Sequence, residues 1–208
     1  MTSCRHLSTL VVVDSTVVDY ESLVNSTKPG TAVLVLDAER DGIEQISQAL
    51  AEADSLESLH ILSHGSAGVL QLGSTSLNWQ TLRRYAAQLQ AWAKPLAGAE
   101  ILLYGCKVAA GAIGQWFVRQ LKSLTGAEIA ASTNLTGSSV LGGDWNLEFT
   151  TGEIRTPLVF LLRQWLAIHM CCQYWSQIRS EMEMLLIKSG CLVLMLRLQA
   201  GHLQSYRF

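Results

Sequence analysis

Charge is scarce in this 208-residue chain. Only 15 % of its residues are Asp, Glu, Lys or Arg, and the formal net charge is −2. With 49 % apolar residues beside so few charges, the composition is that of a packed globule and excludes wholesale disorder. There is no basic surplus from which to argue a nucleic-acid partner. No stretch offers the roughly 20 uninterrupted apolar residues of a membrane-spanning helix. "MTSCRHLSTLVVVDS" lacks a long apolar segment followed by a small-residue cleavage site, so no ordinary signal peptide is expected and the cytoplasm is the default location. The five cysteines (Cys4, Cys106, Cys171, Cys172 and Cys191) are odd in number and irregularly spaced. They form neither a disulfide framework nor a metal-ligand pattern, so reduced thiols and no metal or cofactor are expected. Internal repeats and low-complexity segments are absent as well.

What is present is an alternation of strand and helix signals. "TLVVVD", "TAVLVLD", "LHILS", "AEILLYGC" and "AEIAAST" are short apolar runs that read as buried strands. Between them, Asp19 can cap a helix through "YESLVNS". Asp41 can cap "GIEQISQALAEA", and Asn78 can cap "WQTLRRYAAQLQAWAK". "GAIGQWFVRQLKSLTG" ends on a glycine stop. Trp79, Leu82, Ala86, Leu89 and Ala93 fall at helical spacing, while Trp92, Trp116 and Phe117 read as packing residues and Arg83–Arg84 as a solvated helix face. "GVLQLGSTSLN" reads as a small hairpin about Gly73, and "LGGDWNLEFTTGEI" as a closing hairpin. Strands separated by single helices predict an α/β fold with a mostly parallel sheet.

In such sheets the carboxyl ends of the strands form the ligand crevice. The residues leaving those ends are Asp14, Asp37, His64, Cys106 and Ser132–Thr133. His64 and Cys106 lie 42 positions apart in sequence, yet adjacent parallel strands would bring both side chains to one sheet edge, roughly 5 Å apart. A thiol is mostly protonated at neutral pH, and an imidazole beside it raises the thiolate fraction or takes the proton during attack. Gly65, with no side chain, lets its N–H approach a substrate oxygen, and with the N–H of Cys106 it could form an oxyanion hole. The competing reading is ordinary turn chemistry around His64 and a buried structural Cys106. His60 sits within its strand and reads as a packed histidine. Asp14 and Asp37 are too few to argue a cation site.

The segments "HILSHGSAGVLQLG", "ILLYGCKVAAG", "LTGAEIAAST" and "LGGDWNLE", in this order, resemble an uncharacterised bacterial domain family. Its members commonly lie near the amino terminus of very large cadherin-like or haemolysin-type calcium-binding surface proteins. That family is grouped with the caspase-like cysteine peptidases, which include caspases, gingipains, legumains and separases. The resemblance spans roughly Leu10 to Ile154. It implies a three-layer αβα caspase-like arrangement, His64 as general base, Cys106 as nucleophile, and the N–H groups of Gly65 and Cys106 as oxyanion donors. The expected substrate is a peptide or protein. The resemblance assigns no position to the residue that shapes the first specificity pocket; Asp14, Asp37, Asp144 and Lys107 are near it by topology alone. Asp144–Trp145 reads as a turn beside a packed aromatic. Full-length relatives are expected to be secreted or at the cell surface.

Composition breaks near Thr156. Up to that residue the chain carries 10 Lys and Arg against 15 Asp and Glu, a net −5; beyond it, 5 against 2, a net +3. Residues 1–156 are therefore read as the α/β domain, and 157–208 as an atypical tail with some helical character, a shifted reading frame or truncated remnant of a longer protein. Two functions stand side by side: a cysteine peptidase or self-processing module, and a non-catalytic domain that binds or leads a large surface protein. Oligomeric state is left open.

Overall fold

The computed structural model describes residues 8–157. The tail beyond, with Cys171, Cys172 and Cys191, lies outside the described residues, as does Cys4. The five apolar runs become strands β1 (Thr9–Asp14), β2 (Ala32–Leu36), β3 (Ser58–Leu62), β7 (Glu100–Tyr104) and β8 (Glu128–Ala131). A short β9 (Phe149–Thr150) completes a six-stranded sheet in the order β2-β1-β3-β7-β8-β9, parallel except for β9. Three further strands, β4 (Gly65–Ser66), β5 (Val69–Leu72) and β6 (Thr75–Asn78), form a small antiparallel sheet directly after β3. The α/β fold with a mostly parallel sheet is thus the observed architecture.

Side chains alternate between the two sheet faces, and each face builds its own core. Val12, Leu59, Ile61, Ile101, Leu103 and Ile129 point to the face covered by α2 (Gly42–Ala51), α3 (Ala86–Ala91) and α4 (Gly111–Thr125). Val11, Val13, Leu62, Leu102 and Tyr104 point to the other, with Leu23 of α1 (Tyr20–Asn25). The helices change face because the chain moves one way from β1 to β2 and the opposite way from β2 to β3, with each crossover keeping one hand. Each fully buried Leu or Ile of these cores contributes about 1.5–3 kcal/mol. The switch in strand order therefore falls between β1 and β3, where open α/β sheets leave a crevice at the strands' carboxyl ends.

Asp41 caps α2 as expected, its Oδ1 accepting from the N–H groups of Ile43 (2.9 Å) and Glu44 (3.1 Å). Gly126 ends α4 at φ 72°, the predicted glycine stop. The expected helix over residues 79–94 is regular only at Ala86–Ala91. Asn78 does supply the expected cap, its Oδ1 accepting from the Gln80 and Thr81 N–H groups. The Leu82 and Tyr85 N–H groups donate to the Asn78 and Thr81 carbonyls, but the bonds between them are missing and residues 79–85 remain a run of turns. The buried stripe is Leu82, Tyr85, Leu89, Trp92 and Leu96, whereas Trp79 and Ala93 face solvent. Trp116 is also exposed, at 44 %, against the packing role read from sequence. The expected closing hairpin is a turn region: Ser139–Leu141 forms one 3₁₀ turn, and β9 pairs with β8.

Candidate functional site

Parallel register places the two strand exits side by side. Leu62 of β3 pairs with Tyr104 of β7, so His64 and Cys106 each follow that pair by two residues. The Ser63 N–H donates to the Tyr104 carbonyl (3.1 Å) and extends the contact one residue past the strands. Gly65 then runs against the Cys106 segment. A Cβ there would lie 2.5 Å from Val108 Cγ2 and 3.2 Å from the Cys106 carbonyl oxygen, so only glycine fits. The Gln71 N–H donates to the His64 carbonyl (2.9 Å), which makes Gly65–Leu70 a non-hydrogen-bonded pair of the β4–β5 ladder and turns the Gly65 N–H away from β5.

His64 is half-buried at the switch point, and its Nε2–H donates to the Thr16 carbonyl (3.1 Å) on the loop leaving β1. In the neutral ring this puts the proton on Nε2 and leaves Nδ1 as the basic nitrogen. Thr16 is itself held by Asp14, which is fully buried. Asp14 Oδ1 accepts from the Thr16 N–H (2.9 Å) and hydroxyl (2.5 Å), and Oδ2 from the Gly73 N–H (2.7 Å) at the hairpin tip. One carboxylate thereby ties the β1 exit, the hairpin and, through Thr16, the imidazole. From sequence Asp14 is a strand-end residue and, with Asp37, too little to argue a cation site; this anchoring role is not among those readings. The signal was the Asp-Ser-Thr turn, in which a carboxylate bonds the backbone two residues on. Asp37 is separate, accepting from the Glu39 N–H (2.9 Å).

Cys106 is a reduced thiol, 1 % exposed. Its Sγ accepts from the Thr136 N–H (3.4 Å) and lies 3.7 Å from the Thr136 carbonyl oxygen, so the loop leaving β8 sits on the sulfur. That loop is pinned from both sides. The Lys107 N–H donates to the Asn134 carbonyl (2.7 Å), and Asn134 Nδ2 donates to Asp144 Oδ2 (2.8 Å). Lys107, exposed, adopts φ 61°, a left-handed conformation that costs a non-glycine residue about 1–2 kcal/mol. Nothing in the sequence announced Thr136 as the cover. Trp145, beside Asp144, is partly buried and tilted against Tyr104 at 6.0 Å, in keeping with a packed aromatic.

His60 is the packed histidine the sequence suggested. It is fully buried and stacked on Tyr104 (6.0 Å, 5° between planes). Burial holds its pKa down at about 4, with the Lys28 charge adding to the shift and Glu100 opposing it. Among the described residues no group of three or more His, Cys, Asp or Glu converges as metal ligands would, and no helix is long and apolar enough to cross a membrane.

The fold and strand exits define a parallel α/β domain with an imidazole and a thiol leaving neighbouring strands at the sheet's carboxyl edge. The chain matches, over residues 10–169, the family described as domain of unknown function DUF4347, and it belongs to that family. The match extends past Thr156. No curated protein matches the chain.

Proposed function

We propose that this domain is a caspase-like cysteine peptidase or self-processing module acting on a peptide bond. The observation that carries the reading is the common register of His64 and Cys106 on adjacent parallel strands, with Gly65 packed against the Cys106 segment. In the proposed reaction His64 Nδ1 takes the Cys106 proton as the sulfur attacks the peptide carbonyl carbon. The Gly65 N–H, with that of Cys106, donates to the oxygen that gains charge. Collapse breaks the C–N bond, the imidazolium protonates the leaving amine, and water then hydrolyses the thioester, returning the thiol. The Asp14–Thr16 pair holds the ring in the tautomer this sequence needs. Thr136 must leave the sulfur before a substrate can reach it, so the reaction requires movement of the 132–144 loop.

A second reading is favoured by one observation, the 1 % exposure of Cys106: a non-catalytic domain that binds, or leads a larger surface protein. Peptide-library cleavage by the full chain, with Cys106→Ala and His64→Ala in parallel, separates the two. The peptidase reading expects cleavage that Cys106→Ala abolishes and His64→Ala lowers by roughly 10²–10⁴-fold. Cleavage indifferent to both substitutions contradicts it.

A further inference from the structure

Away from the strand exits, a groove of about 580 Å³ runs between the turns at residues 79–85 and α4, lined by Trp79, Gln80, Arg83, Trp116, Gln120 and Leu124 among others. Trp79 is 57 % and Trp116 44 % exposed, and Ile113, one turn before Trp116 on α4, is 54 % exposed. Singly exposed apolar side chains are unremarkable, but two exposed indoles lining one groove make a patch.

The charges there run against the rest of the domain. Residues 1–156 carry a net −5, yet no carboxylate lines the groove. Arg83 lines it, the single charged side chain among the lining residues. Among the described residues Arg83 forms no ion pair. Tryptophan and arginine present with Asp, Glu and Lys absent is the composition of a protein-interface core. The β6 edge nearby is not open for strand addition, because Thr81 Oγ1 accepts from the Asn78 N–H and donates to the Ser76 carbonyl. Recognition must therefore run through side chains.

We infer that the Trp79–Trp116 groove is a docking site for an acidic protein segment, one that seats a large apolar side chain between the indoles and sets a flanking carboxylate on Arg83. The groove shares no residue with the His64–Cys106 pair, so this inference stands independently of the peptidase reading.

Phage display of random 12-residue peptides on the immobilised full chain, counter-selected on Trp116→Ala, tests it. Enriched peptides should combine an excess of Asp and Glu with a large apolar residue. Synthetic copies should bind by calorimetry about tenfold or more weakly to Trp79→Ala and Trp116→Ala, and about threefold more weakly to Arg83→Gln or when salt is raised. Both indoles are exposed and stand on different elements, so each variant should keep the wild-type circular dichroism. Failure to enrich beyond the counter-selection, peptides lacking an acidic excess, or affinities indifferent to all three substitutions would each overturn the assignment. Binding of an oligoguluronate that Trp116→Ala abolishes, with no peptide enriched, would assign the groove to an acidic saccharide instead.

Discussion

Two buried polar residues on opposite sides of the central strands carry distinct consequences. Among the described residues neither ring nitrogen of His60 has a hydrogen-bond partner, and its pKa falls from an ordinary 6.5 to about 4 because burial disfavours the cation. The unfolded chain binds a proton there that the folded chain refuses. Its stabilising effect is therefore full above pH 6.5 and is lost as pH falls towards 4, by roughly 3 kcal/mol at most. Urea titrations of wild type and His60→Phe between pH 7 and 4 check this, and the variant should lose that part of the slope. Asp14 accepts three hydrogen bonds with no exposed surface. Asp14→Ala should cost about 1–3 kcal/mol, chiefly by leaving the buried Gly73 N–H unpaired. It should also release Thr16, so a ring-nitrogen NMR spectrum of His64 should show the Nε2-protonated tautomer losing its dominance.

At the scale of elements, the sequence was most legible where one physical signal dominated. "TLVVVD" coincides with β1 and "AEILLY" contains β7, because an apolar, β-branched run buried on both faces has no competing reading. After Asn78 the apolar period persists, at Leu82, Tyr85, Leu89 and Trp92, and Asn78 caps the stretch. Yet before Ala86 the backbone makes only isolated helical bonds, Leu82 N–H to the Asn78 carbonyl and Tyr85 N–H to that of Thr81. Periodicity reports which side chains are buried, not whether the helix bonds between them are made. α4 supports a prediction at this scale. Gly114→Ala should gain up to about 1 kcal/mol of helix propensity. Its Cβ, however, would meet the Ala109 carbonyl carbon at 2.5 Å and the Val108 oxygen at 2.6 Å. The substitution should lower the thermal midpoint, and it should displace the segment that follows Cys106.

Across the whole molecule, strand order puts β3 and β7 at the sheet's centre and the switch between β1 and β3. The candidate site was legible as two residues, His64 and Cys106, because each follows an apolar run directly. Their support was not. Asp14 and Thr16 come from one crossover and Thr136 from another, and only the folded chain joins them. The central claim is that His64 acts on the Cys106 thiol. Iodoacetamide labelling of the full chain, resolved by peptide mass spectrometry so that Cys106 is followed apart from the other cysteines, tests it without a known substrate. Near pH 7 the account predicts Cys106 labelling about tenfold faster in wild type than in His64→Ala, because an imidazole that takes the proton raises the thiolate fraction. Equal rates in the two proteins, with the same dependence on pH, would contradict it.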